Sequence, residues 1–270
     1  MKAAIVSEYR KFFSTRMWWV LTLAMVAFFL IFSFGMSWAF GHEAAQNGMP
    51  ASALDGLQYA VYGLAPSMGY IFPVIIGALA VTAEYRHNTI LPTFSGEPRR
   101  WVVMLAKTIA AVPMGFVIAV ASTAACMIGG GVGFSIEGIA TQLMTATTLK
   151  NAGLSVLALT IWALVGVGLG MLIINQVGVI LTVLGFCLII EPVLSNVLRY
   201  FSATASWPKY FPSAASGSLA GGTNIYITIG DAAGAQYSVL SPWQGGLVLA
   251  AYGVVFGLLG YFFRIRRDVS

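Results

Sequence analysis

The titratable side chains of this chain fall in few places, and those places limit the chemistry open to it. The densest is Glu84-Tyr85-Arg86-His87-Asn88-Thr89-Ile90-Leu91-Pro92-Thr93-Phe94-Ser95-Gly96-Glu97-Pro98-Arg99-Arg100, with five charged side chains in seventeen residues. Uncharged runs of 28 residues (56–83) and 29 residues (108–136) flank it. A charged hairpin between two membrane-length apolar segments must protrude into water, where a soluble partner can grip a membrane protein. Glu191 is the carboxylate inside a long apolar stretch, with Pro192 directly after it and no basic residue one turn away. Intramembrane charge points to a transport path. The competing reading is a carboxylate that hydrogen-bonds backbone freed by the proline, or that caps an outer helix.

Other chemistries lack their parts. No G-x-x-x-x-G-K-[ST] phosphate loop occurs, so ATP hydrolysis by that route is not expected in this chain. His42-Glu43-Ala44-Ala45-Gln46 opens like a zinc-protease H-E-x-x-H motif, but Gln46 stands where the second histidine must be. There is no G-x-S-x-G elbow, and His42 and His87 are the sole histidines. Cys126 and Cys187 sit in apolar stretches without metal or disulfide spacing and read as small packing residues. No enzymatic activity, metal or cofactor is expected in the chain itself.

The elements that carry these residues follow from hydropathy. The chain is 59% hydrophobic and 9% charged, with mean hydropathy +0.85, far from the soluble globular range. A span needs ~20 apolar residues to cross a core of ~30 Å. The uncharged runs at 17–41, 56–83, 108–136, 151–190 and 232–263, with a polar break at Asn175-Gln176 in the fourth, predict six spans at about 17–40, 63–84, 102–128, 152–174, 177–198 and 243–263. The fold expected is all-α and integral to the membrane, one transmembrane domain over residues 1–270. Residues 41–62 and 129–151 are expected as outer loops. The apolar stretch after Lys2, Arg10, Lys11 and Arg16 is too long for a cleaved signal peptide and reads as a signal anchor.

Eleven of the fourteen basic residues fall on the side of the termini, so the positive-inside rule places both termini and the 84–100 hairpin in the cytoplasm of a multi-pass plasma-membrane protein. The net charge of +5 then reflects topology and contact with anionic lipid, not nucleic-acid binding. Residues 1–16 predict an amphipathic interfacial helix, with Ile5, Val6, Tyr9, Phe12 and Phe13 on one arc and Ser7, Glu8, Arg10 and Lys11 on the other. Lys107 is expected to snorkel from the inner end of span three. Gly166, Gly168 and Gly170 give span four a close-packing face, within the chain or between subunits. Pro66 and Pro73 interrupt span two. The segment 199–242 is too aromatic for a solvated loop, and a short helix dipping back toward the bilayer is expected in it.

On these residues the chain resembles the permease subunit of an ATP-binding-cassette (ABC) exporter of the type-2 permease class, the type V exporter fold. The resemblance rests on Glu8-Tyr9-Arg10-Lys11 with Thr15-Arg16 before span one, on Glu84-Tyr85-Arg86-His87-Asn88-Thr89-Ile90 closing span two, and on Pro98-Arg99-Arg100 leading through Lys107 into span three. The six-span order and the large outer segment before span six also fit. The resemblance implies a cytoplasmic coupling helix between spans two and three that docks on a separate ATP-binding subunit. Thr89, Ile90, Leu91 and Phe94 would give the apolar contact, with Arg86, Glu97, Arg99 and Arg100 as the polar rim. It implies a second permease copy or paralogue, spans two and five lining the route with Phe72 and Glu191 toward substrate, and re-entrant outer helices before span six. ATP and Mg would be held by the partner subunit. Two alternatives stay open: an ion-driven secondary transporter, and a non-transporting immunity or sensor component. Few charges in the spans favour a lipophilic or amphipathic substrate, such as a drug or lipid.

Overall fold

The computed structural model describes residues 2–48, 51–201, 203–221 and 239–265. The chain opens with helix α1 (Lys2–Ser14) and turns directly into α2 (Met17–Asn47). Helices α3 (Ala51–Tyr62), α4 (Leu64–Met68) and α5 (Ile71–Arg86) follow, and then the short α6 (Ile90–Gly96). The long α7 (Arg100–Ile136) and α8 (Ala146–Leu172) come next. Helix α9 (Gln176–Leu184) continues through a π-helical stretch (Gly185–Ile190) into α10 (Glu191–Tyr200). A 3-10 turn (Trp207–Tyr210), α11 (Pro212–Leu219) and α12 (Pro242–Gly260) complete the described elements, with a final π turn at Tyr261–Ile265. Among the described residues there is no strand.

Five helices, at Trp18–Asn47, Arg100–Ile136, Ala146–Leu172, Gln176–Tyr200 and Pro242–Arg264, are long and apolar enough to cross a membrane. This is the build of a membrane-embedded protein. The segment expected as span two is divided: Gly69 and Tyr70 separate α4 from α5. Pro66 and Pro73 each lie in the first turn of their short helix, where a missing N–H costs no helical hydrogen bond. Neither α4 nor α5 is long enough to cross alone. Further on, Asn175 accepts from the N–H groups of Val177 (2.9 Å) and Gly178 (3.2 Å), so the polar break between α8 and α9 is an N-cap. The π stretch ends just before Pro192, and its wider turn accommodates the carbonyl that the proline ring would otherwise meet.

Two expected outer loops are helical over much of their length, with residues 137–145 left as the connection between α7 and α8. Helix α7 runs eight residues beyond the expected end of span three, and most of segment 41–62 is taken up by the end of α2 and by α3. The reason is close packing. A Cβ at Gly129 or Gly133 would collide with Leu30 and Ser33 or with Phe34 and Ser37 of α2, and one at Gly130 would meet Val61 and Tyr62. Glycines read as loop residues are instead the contact surface of a helix. The glycine face of α8 is likewise used inside the chain. Gly166 and Gly170 meet the backbone of Val74 and Ala78 on α5, and Gly168 meets Gly253 and Gly257 on α12. These registers make α5, α8 and α12 mutually parallel, and α2 parallel to α7.

Candidate functional site

The hairpin between α5 and α7 is shaped by local chemistry. Asn88 takes a left-handed conformation (φ 55°), which asparagine tolerates better than most residues. The Thr89 N–H donates to the Glu84 carbonyl (2.9 Å), and α6 begins at Ile90. Glu97, ahead of Pro98, is extended (φ −137°, ψ 97°), as a residue before proline is biased to be. Helix α6 is therefore a single amphipathic unit set between two stops.

Its faces differ from the expected ones. Ile90 and Phe94, four residues apart, are buried among Val81, Val103, Met104, Val167 and Met171. The Arg100 guanidinium sits 5.5 Å from the centre of the Phe94 ring. Of the four residues expected to give apolar contact, Leu91 faces outward at 56% exposure and Thr89 is exposed at the helix start. Arg86 and Arg99 are also exposed, and Arg99 Nε lies 2.9 Å from Glu97 Oε1. The Arg99 hydrogen bond holds the Glu97 carboxyl below its ordinary range. The outward face thus carries Leu91 flanked by Arg86, His87, Thr89 and Arg99.

Behind it lies a charge cluster. Lys107 on α7 is fully buried, and its ammonium meets Glu8 of α1 (2.9 Å), Glu84 of α5 (2.9 Å) and the Ala80 carbonyl (2.8 Å). Lys11 of α1 bonds both Glu8 (3.0 Å) and Glu84. Burial works against the Lys11 charge, but the hydrogen bonds and charges of Glu84 and Glu8 outweigh it and hold its pKa above the ordinary lysine value. Two carboxylates and two ammonium groups therefore clamp α1 to the ends of α5 and α7, beside the root of the hairpin. Lys107 does not snorkel, and Glu8 does not lie on a solvated arc. Of the apolar arc expected on α1, Tyr9 and Phe12 pack against the protein, while Val6 and Phe13 are exposed.

The two residues expected toward substrate have separate settings. Phe72, half-buried, packs on the cluster that holds Met25, Phe29 and Met114. Glu191 is buried, and its carboxylate accepts from the backbone N–H groups of Ser213 (3.2 Å) and Ala214 (3.0 Å). It caps the N-terminus of α11, where a negative charge also suits the helix dipole. Helix α11 is itself buried against α8 and α12. Ser216 accepts from Trp162 Nε1 (2.9 Å), midway along α8, and a Cβ at Gly245 would strike the Ala215 carbonyl. Residues 222–238 of the outer segment, including Tyr226 and Tyr237, lie outside the described residues.

The sequence matches no protein-family model and has no significant match among characterised proteins. Among the described residues no group of three or more His, Cys, Asp or Glu side chains is placed to hold a metal ion. The charge cluster was missed by sequence reasoning, although a signal for it exists. Lys107 heads a long uncharged run, and a lysine there needs a carboxylate from another element. Glu84, which closes the apolar run 56–83, is the one partner that sequence position singles out, whereas nothing local pairs Glu8 with Lys107.

Proposed function

We propose that this chain is the membrane-spanning permease subunit of an ABC exporter, moved by a separate ATP-hydrolysing subunit that docks on the outward face of α6. The observation that carries the reading is the hairpin. A short helix is anchored to the body by Ile90 and Phe94, keeps Leu91 and a basic rim exposed, and stands beside a charge clamp that joins α1, α5 and α7. A push on Leu91 would reach α5 and α7 through packed side chains, not through a flexible loop. Helices α4 and α5 together serve as the sixth pass, which agrees with the parallel run of α5, α8 and α12. The location of α11 against Trp162, deep in the bundle, supports a re-entrant outer helix.

The energetics fit this division of labour. Moving a two-state equilibrium from 1:99 to 99:1 requires ~5.5 kcal/mol of differential binding. ATP engaged by a partner can supply that, and the basic side, with the hairpin and both termini, is then cytoplasmic. The substrate class favoured is lipophilic or amphipathic, and a second permease copy or paralogue completes the route. Purification of the tagged full chain in mild detergent tests the reading. An ABC-type ATPase should copurify in near-stoichiometric amount, and Leu91→Asp combined with Arg86→Glu should remove it without unfolding the chain. Absence of any such ATPase from the wild-type preparation would overturn the proposal.

A further inference from the structure

We infer that the 3-10 turn Trp207–Tyr210 lines the outer half of the transport route and, through Lys209, holds amphiphiles with an anionic headgroup there. The inference rests on the transport reading for the route and narrows its substrate class. Two contacts fix the depth of the turn. The Tyr252 hydroxyl donates to the Tyr210 carbonyl (3.2 Å), and Tyr252 lies nine residues past the exposed Trp243 on α12, roughly 14 Å along the helix. Trp243 stands at the headgroup level, and half of a ~30 Å bilayer core is about 15 Å. From another side, the Phe211 ring lies 6.4 Å from that of Phe186, in the π stretch fourteen residues before Tyr200. The turn therefore sits close to the bilayer midplane.

Non-helical backbone at that depth does not face lipid; it is covered by protein or lines water. Ser206, Trp207 and Tyr210 are nevertheless exposed, the two aromatic residues at 57% and 48%. Charge decides between the two settings. Lys209 Nζ lies 5.2 Å from the centre of the Tyr210 ring, and among the described residues no carboxylate pairs with it. Glu191, the acidic residue at this depth, spends its carboxylate on the Ser213 and Ala214 amides. A second copy of the chain pressed against the turn would bring no better counter-charge. An ammonium near the midplane without a carboxylate needs water or an incoming anion, so this side of the turn opens on water. Trp207 and Tyr210 beside it offer rings to an apolar chain. A phosphate, sulfonate or carboxylate headgroup and its hydrocarbon thus find their contacts in one place, whereas a cationic headgroup meets repulsion.

Ser206→Cys in the full chain, with Cys126 and Cys187 replaced by alanine, tests this in native membranes. Two methanethiosulfonates of opposite charge, one ending in a sulfonate and one in a trimethylammonium, are added and the mass shift of the protein is followed. Both should react, and the sulfonate should be favoured about tenfold over its ratio with a free thiol in solution. Lys209→Gln should abolish that preference, and Lys209→Arg should keep it. Dodecyl phosphate should protect the cysteine at about tenfold lower concentration than dodecyltrimethylammonium. Trp207→Cys gives a second position should the first variant fail to fold. No reaction with either reagent would show the turn covered by lipid or protein and overturn the inference. Equal rates for the two reagents, or a preference that survives Lys209→Gln, would overturn the role of Lys209. Neither readout needs the ATPase, so copurification of that subunit remains a separate test of the transport reading.

Discussion

Lys107 shows how one residue can set the character of an entire end of the molecule. A fully buried ammonium is tolerable only because Glu8, Glu84 and a backbone carbonyl meet it, and each of those partners belongs to a different part of the chain from Lys107. Removing one member of a buried ion cluster costs about 3–5 kcal/mol, because the others are left uncompensated. Lys107→Met should therefore lower the stability of the full chain by that amount in a detergent unfolding titration. The double variant Lys107→Met, Glu8→Gln should lose less than the sum of the two single losses. Additive losses would mean that the two residues act independently. Lys11 makes a related contribution with a definite sign. Its pKa is raised on folding, so its share of the stability is fully present below the unfolded lysine value and is lost only as pH rises through the higher folded one.

At the scale of elements, the legible parts were those written in hydropathy and punctuation. Five membrane-length apolar helices, the Asn175 break and a short helix ahead of α12 could be read because length, polarity and proline placement act locally. The glycines of α7 could not. Gly129 to Gly133 look like a loop until Leu30, Ser33, Phe34 and Ser37 of α2 are brought against them, and nothing local announces that partner. The inward turn of Ile90 and Phe94 was hidden for the same reason, since their pocket comes from α5, α7 and α8. For Glu191 the sequence left two readings open, and the structure provides the cap on α11. Glu191→Ala should accordingly free the Ser213 and Ala214 amides and speed their hydrogen exchange about tenfold, equivalent to the ~1.4 kcal/mol of a good cap. Unchanged exchange at those amides would show that α11 is held by Trp162 and Gly245 alone.

For the whole molecule, exposed tryptophans mark two levels. Trp19 and Trp101 lie at one end of the apolar helices, with Trp38 and Trp243 at the other. Along α2 the nineteen-residue step from Trp19 to Trp38 spans roughly 28 Å, close to the ~30 Å thickness of a bilayer core. The Trp19 level is also that of α1, the charge clamp and the α6 hairpin, so the parts proposed to receive a soluble ATPase are gathered at one membrane face. The most direct test places a cysteine at the exposed tip, Leu91→Cys, in a background where Cys126 and Cys187 are replaced by alanine. A short thiol-reactive cross-linker added to native membranes should join it to an ABC-type ATPase, with a yield that changes on adding ATP. A cysteine placed instead at Met144, which is exposed near the start of α8, should give no such product. Equal cross-linking from both positions, or none from Leu91→Cys, would contradict the account.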